Sequence, residues 1–331
     1  MKARLFVALV ASIVCSQAAS QGAFVLTAAG TSRGLGLSTF ASNFPTAAGL
    51  GPFGIAFPTT GGVLVSDGPG NIRLFATNAD NQNASAGVIG QNYGFRNAHQ
   101  MAQVGGAIYV AQAPNGQVIQ VNNNGTFNHV VASGLPEAAG LVASPTTGHL
   151  FASTLNTSRI VEIDPLTNTV LRTLVNNYAD GLSISADGSI LYGADGASGH
   201  VFGWRTSDGV RVFDSGFIAG GIDGTAFGAG PLLGNIYVNT NGGTLVEVNL
   251  TTLAQTLIGT GGSRGDFVSV DPSNNSLLIT QTDSILRITG PFQGTPPNPV
   301  PAPPAFALFA IGGVLMAAKR LWDGKAKPAV A

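Results

Sequence analysis

A unit of roughly forty residues recurs six times between Gln21 and Gly290, and no other feature of the chain restricts its fold so far. The clearest copy runs through Asp180-Gly-Leu-Ser-Ile-Ser, Ile190-Leu-Tyr-Gly-Ala, His200-Val-Phe-Gly-Trp and Val210-Arg-Val-Phe. Its turns fall at Ala186-Asp-Gly-Ser and Thr206-Ser-Asp-Gly. Each string is short, rich in β-branched and aromatic residues, and closed by Gly, Asn or Asp, so the unit reads as a four-stranded meander. The same order returns from Gly54, His99, Gly140, Gly224 and Asp266, and no long stretch at helical period interrupts it. Four strands at this period match a β-propeller blade. The expectation is an all-β, six-bladed propeller of four-stranded antiparallel blades over 21–290, with a seven-bladed ring or an irregular β-sandwich as alternatives. Strands such as Ile190-Leu191-Tyr192 are apolar at successive positions, as expected where each sheet is covered on both faces.

The last unit lacks a fourth strand, because Pro291 opens a proline-rich linker soon after Ile285-Leu-Arg-Ile. An unfinished blade would leave an unpaired edge and an apolar face in water. The spare apolar string Ala23-Phe24-Val25-Leu26-Thr27, ahead of the first repeat, is therefore expected to supply the outer strand of the last blade. The N-terminal strand would tie the ring shut.

Charged residues make up only 9% of the chain and the formal net charge is −1, which provides no basic face for a phosphate backbone and argues against nucleic acid as a partner. Met1-Lys2-Ala3-Arg4, an apolar core from Leu5 to Val14, and the small residues Ala18-Ala19-Ser20 have the layout of a secretory signal peptide over 1–20. Cys15, the sole cysteine, lies inside that leader. The exported chain thus has no disulfide, thiolate zinc site or cysteine nucleophile. At the other end, the linker 291–304 leads into an uncharged segment, Ala305 to Ala318, stopped by Lys319-Arg320 and followed by a polar tail, 322–331. As a helix beginning after Pro303-Pro304, the segment reaches only about 21 Å against a hydrocarbon core of roughly 30 Å. It favours membrane entry without the length of a permanent span.

The spacing of Val300, Pro301 and Pro303, the apolar segment over 305–321 and the pair Lys319-Arg320 resembles the PEP-CTERM sorting signal of bacteria. The resemblance implies an exosortase-like processing enzyme as a partner, transient anchoring to the membrane through the C-terminal helix, and residence at the cell envelope or surface. Where that family has Pro-Glu-Pro, this chain has Pro301-Ala302-Pro303, and it continues past the basic pair.

Aligning the repeats places Asn97, Asp180, Asp223 and Asp266 immediately before the innermost strands of blades two, four, five and six, around one mouth of the central channel. Carboxylates and an amide oxygen converging there form the hard-oxygen surroundings that Ca2+ or another divalent cation accepts. The competing reading is turn chemistry, with Asp accepting local N–H bonds and Gly supplying a positive φ. His99 either lines the channel or packs as a hydrogen-bonded residue of the inner strand. His129, His149 and His200 share no metal-ligand spacing and read as surface or turn residues. No G-x-S-x-G elbow, Walker pattern or dinucleotide glycine motif stands between a strand and a helix.

Asp180-Gly181-Leu182 and Asp223-Gly224-Thr225 are similar to the inner-strand motif of the SMP-30/gluconolactonase-like propellers. That likeness implies Asp180 and Asp223 as metal ligands, Asp266 as a ligand or catalytic base, and lactone hydrolysis as the reaction; the family's Glu ligand has no aligned counterpart, Glu137 being only near in sequence. Asp164-Pro165-Leu166-Thr167-Asn168 and Asp271-Pro272-Ser273-Asn274-Asn275 read as β-turns and resemble the YVTN and NHL propeller repeats, families that mostly bind or scaffold. The functional expectation is an exported, non-enzymatic binding or scaffold propeller whose partners are envelope polysaccharides or proteins. The alternative is a metal-dependent hydrolase.

Overall fold

Each repeat hydrogen-bonds with itself into an antiparallel meander, and six meanders stand side by side as the blades of a closed propeller. The computed structural model describes residues 23–290. The leader over 1–20, the linker, the apolar segment, the polar tail and the sorting residues Val300, Pro301, Pro303, Lys319 and Arg320 lie outside the described residues.

From the channel outward, blade one comprises Pro52–Ala56, Val63–Asp67, Asn71–Phe75 and Val88–Asn92, and blade two comprises Met101–Val104, Ala107–Gln112, Gln117–Val121 and Phe127–Ser133. Blade three runs through Ala138–Ala143, Leu150–Thr154, Arg159–Asp164 and Thr169–Val175. Blade four uses Leu182–Ile184, Ile190–Asp195, His200–Arg205 and Arg211–Phe217. In blade five the meander is Ile222–Phe227, Asn235–Thr240, Leu245–Asn249 and Gln255–Thr260. Blade six contributes Val268–Val270, Leu277–Thr280 and Ile285–Thr289 from its own repeat.

The turns between strands follow the expected local chemistry. Asp164 Oδ1 accepts from the Leu166 amide at 2.8 Å and Asp271 Oδ1 from the Ser273 amide at 2.9 Å, with Asn168 and Asn275 in the left-handed region at the turn ends. Packing between blades supplies the rest. Six separate apolar clusters fill the six gaps between neighbouring sheets, which is why the strands are apolar on both faces.

Ring closure uses an N-terminal strand, but a different one from that expected. The fourth strand of blade six is Gly36–Ser42, antiparallel to Ile285–Thr289 with Gly36 opposite Thr289 and Leu37 opposite Ile288. The string around Phe24 lies one blade away: Val25–Leu26 pairs with Thr260 and Gly259 as a fifth strand of blade five. Two features separate the candidates. After Leu26 the chain turns at once, because Thr27 caps the short helix Ala28–Ser32 by accepting from the Gly30 amide at 3.2 Å. Gly36–Ser42, in contrast, is seven residues long and carries Phe40 and Ala41, both fully buried. Phe40 packs edge-on to Phe75 of blade one at 5.3 Å between ring centroids and lies under the Arg287 guanidinium.

Arg287 locks the same seam. Its guanidinium donates to Asp80 at 2.7 Å, Asp271 at 2.9 Å, Ser276 at 2.7 Å and Asn78 Oδ1 at 2.6 Å, tying blade six to the loop after the third strand of blade one. A buried guanidinium is tolerated only when paired this completely. Phe40→Ala removes the ring that fills the seam and is expected to lower stability by about 3–5 kcal/mol in denaturant melts; a loss below about 1 kcal/mol would show that the closure strand does not govern the fold.

Candidate functional site

The innermost strands approach one another so closely that backbone meets backbone around the channel. The Gly181 amide donates to the Asp223 carbonyl at 3.0 Å, across the gap between blades four and five. A Cβ at Gly181 would run into that carbonyl, and one at Gly224 into the carbonyl of Asp266. Neither glycine has a positive φ. Their role is close approach, which overturns the turn reading of Asp-Gly at these positions.

Backbone pairing also fixes which residues are equivalent. The Asp180 amide donates to the Ala194 carbonyl at 2.8 Å and the Ala194 amide to Gly181 at 3.1 Å; in blade two the His99 amide donates to Ala111 at 2.9 Å and the Ala111 amide to Gln100 at 3.1 Å. His99, not Asn97, therefore holds in blade two the place that Asp180 holds in blade four. Asn97 serves the loop instead. Its side-chain oxygen accepts from the Asn115 amide at 3.0 Å and its carbonyl from the Gln112 side chain at 3.1 Å.

Asp180, Asp223 and Asp266 do converge. With His99, Arg96 and Arg264 they line a cavity of about 290 Å³ at one mouth of the channel, walled by the rings of Phe53, Phe95 and Phe267. Arg264 organises the acids. Its Nε donates to Asp266 Oδ1 at 3.0 Å and its Nη2 reaches Asp223 Oδ2 at 3.3 Å, with the side chain 38% exposed and both carboxylates buried. Arg96 faces Glu137 at 3.2 Å on the rim. Asp180 has no ion-pair partner among the described residues; the Tyr178 hydroxyl approaches it.

Burial dominates the electrostatics. Asp180 is partly open to solvent at the mouth yet ringed by protein, and burial, reinforced by the charge of Asp266, pushes its carboxyl up to about 6 against the pull of Arg264, Arg96 and Tyr178. Burial and the charges of Asp180 and Asp266 push Asp223 well above the usual carboxylate range. Asp266 is raised by burial and held back by Arg264. His99 moves the other way, to about 3, through burial first and then Arg96 and Arg264, so its ring is neutral at physiological pH. Neither of its nitrogens has a hydrogen-bond partner, contrary to the expectation of a bonded packing residue, and its ring lies 4.6 Å from that of Phe53 and 6.3 Å from that of Phe267.

As they stand, these side chains do not fit an open cation site. Among the described residues no group of three or more His, Cys, Asp or Glu side chains is arranged to hold a metal ion, and the Arg264 guanidinium lies between Asp223 and Asp266, where a shared cation would sit. His129, His149 and His200 lie away from the mouth, on the outer strand of blade two, in a turn of blade three and on the third strand of blade four, and pair respectively with Asn128, Glu162 and Asp214. The residues that sequence reasoning missed are Arg264, Arg96, Phe53 and Phe267. Arg264 left a signal. It stands two residues before Asp266 in a chain poor in charge, the spacing that turns two side chains to one face of an extended segment.

At the far end of the channel the inner strands open into an apolar cavity of about 500 Å³ lined by residues such as Phe57, Val104, Val142 and Phe227. Gln100 spans the channel between. Its side-chain oxygen accepts from the amides of Leu141 at 2.9 Å and Leu182 at 3.0 Å, and its nitrogen donates to the Leu182 carbonyl at 2.9 Å.

No family model and no curated protein sequence matches this chain. Solved structures do. An oxidoreductase of glucose dehydrogenase type from Thermus thermophilus is similar with a TM-score of 0.57 at 17% identity, over 77% of this chain and 99% of that one. The nidogen/laminin complex contains a similar chain at a TM-score of 0.56 and 14% identity, over 70% of this chain and 97% of that one. Virginiamycin B lyase from Staphylococcus aureus follows at 0.52 and 14%, over 77% and 99%. Identities this low establish the fold and nothing finer.

Among the described residues no helix is long and apolar enough to cross a membrane. The electrostatics at Asp180 carry a stability consequence with a definite sign. Its folded-state pKa lies above the ordinary 3.8, so the folded protein holds a proton between about pH 4 and 6 that the unfolded chain has released. The cost of burying the carboxylate is complete above pH 6 and absent below pH 4. Asp180→Asn is expected to raise stability at pH 7.5 by no more than about 3 kcal/mol, a gain that disappears by pH 4 in thermal melts; a variant less stable than the parent at pH 7.5 would contradict the placement of this acid.

Proposed function

We propose that this chain is an exported propeller displayed at the cell envelope, where the channel mouth binds an envelope ligand without transforming it. The observation that carries the reading is the pairing of Arg264 with Asp223 and Asp266. That pairing leaves the mouth with hydrogen-bonding groups and aromatic walls, the composition of a recognition site, while the acids best placed to hold a metal are engaged by a fixed side-chain cation. Delivery rests on the sequence: the leader over 1–20 and the PEP-CTERM-like tail route the chain outward and hand it to an exosortase-like enzyme, with the apolar segment in the membrane meanwhile. Envelope polysaccharide or protein is the partner class.

The metal-dependent hydrolase is the second reading, favoured by one observation, the convergence of three acids whose pKa values are all raised. Calcium linkage separates the two. A cation that binds only the folded state raises apparent stability by RT ln(1 + [L]/Kd). Melting temperature in chelator and in millimolar Ca2+ is expected to agree; a rise with Ca2+ that Asp223→Asn abolishes would replace binding with metal chemistry. For the tail, mass analysis of the surface-extracted protein from its own host is expected to show loss of the chain beyond about Pro304. An intact tail on every molecule would remove the exosortase step.

A further inference from the structure

The mouth carries a charge that the protein does not itself neutralise. Four carboxylates, Asp180, Asp223, Asp266 and Glu137, face the guanidiniums of Arg96 and Arg264. Arg96 is engaged with Glu137, and Arg264 with Asp223 and Asp266, so Asp180 stands without a cation. Burial and neighbouring acids favour a proton on Asp223. What remains is close to one negative charge, placed near Asp180.

The remaining lining narrows the complement. His99 is 6% exposed, lines this cavity and leaves both ring nitrogens without a partner, although a buried polar atom without a hydrogen bond costs about 1–3 kcal/mol. Held neutral, it offers one acceptor and one donor and repels no cation. Beside it stand Phe53 and Phe267, aromatic faces that attract an ammonium and cover the apolar side of a ring. An anionic ligand would meet the excess of acids. A bare divalent ion would have to displace Arg264. The volume, about 290 Å³, is at the small end for ligand cavities and suits one compact ring.

We propose that the channel mouth recognises a compact hydroxylated ring through a single protonated amine, of the kind an amino-sugar residue of an envelope polysaccharide presents, with the ammonium at Asp180 and His99 and the ring against Phe53 and Phe267. This identity deepens the binding reading above and rests on it. Hydroxyls of the ring meet Arg264 and the free nitrogen of His99. No bond is made or broken.

Glucosamine, glucose and N-acetylglucosamine are the probes, because they share a ring and differ in the charge at one position. Titration calorimetry on the propeller at pH 7 is expected to give glucosamine an affinity at least tenfold above the other two. Asp180→Asn is expected to reduce glucosamine binding at least tenfold while its melting temperature at pH 7 equals or exceeds that of the parent. Lowering the pH to 5 is expected to weaken binding, since the amine stays charged while Asp180 takes up a proton among its neighbours Tyr178, Asp195, Asp223, Arg264, Asp266, Arg96 and His99. Equal affinity for glucosamine and glucose would overturn recognition of the amine and leave a saccharide-binding mouth. Failure of all three sugars to bind would overturn the proposal while leaving the envelope-binding reading to be judged by its calcium and mass measurements.

Discussion

The pairing of Gly36–Ser42 with Ile285–Thr289 is the contact on which the rest of the molecule depends. A propeller has no core in the ordinary sense. Its apolar interior is divided into six layers between blades, each needing both neighbours, so an opened ring would expose a face on each side of the break. The site shares this dependence. Phe267 of blade six meets Phe53 at the start of blade one edge-on at 6.2 Å, across the gap that the closure strand holds shut. Arg264 and Asp266 approach the mouth from one side of the seam, Phe53 and His99 from the other, so closure and assembly of the cavity are one event.

What the sequence made legible is what local chemistry decides. Asp187 caps the Ser189 amide at 3.0 Å with Gly188 at positive φ, and any such turn between β-rich strings can be read without knowing the fold. Blade number and strand order follow from counting those turns. The closing strand could not be read the same way, because the strings around Phe24 and Phe40 are both apolar and both precede the first repeat. Only the length of the pairing and the burial of Phe40 between blades six and one separate them, and both are tertiary facts.

The site was half legible for a related reason. Asp180, Asp223 and Asp266 fall at the same place in the repeat pattern of three consecutive units, so alignment alone brings them to one mouth. Blade two breaks the pattern. The residues from Tyr93 to Ala98 form a loop in which the Asn97 amide turns back to the Gly94 carbonyl at 3.0 Å, displacing the repeat by two positions. Chemical likeness between Asn and Asp favoured Asn97, whereas backbone pairing selects His99. Arg264 was passed over for a different reason: an arginine in a Gly- and Ser-rich turn reads as solvated, and its two-residue spacing from Asp266 gains meaning only once both carboxylates are seen to bind it.

The mouth is costly by every rule that stabilises the blades. Burial raises the pKa values of three acids, reinforced at Asp180 and Asp223 by neighbouring carboxylates, and a histidine ring lies without a hydrogen bond beside them, while the propeller around it satisfies even a buried guanidinium, Arg287, with acceptors from four residues. A chain able to pair Arg287 so fully has the means to pair His99. Acids of raised pKa and an unbonded histidine gathered in one concave site on a rigid frame are what supports the binding reading. The opposite end of the channel sharpens the point. There the same six strands end in an apolar hollow with no such conflict, and Gln100, bonded across to blades three and four, stands between the two.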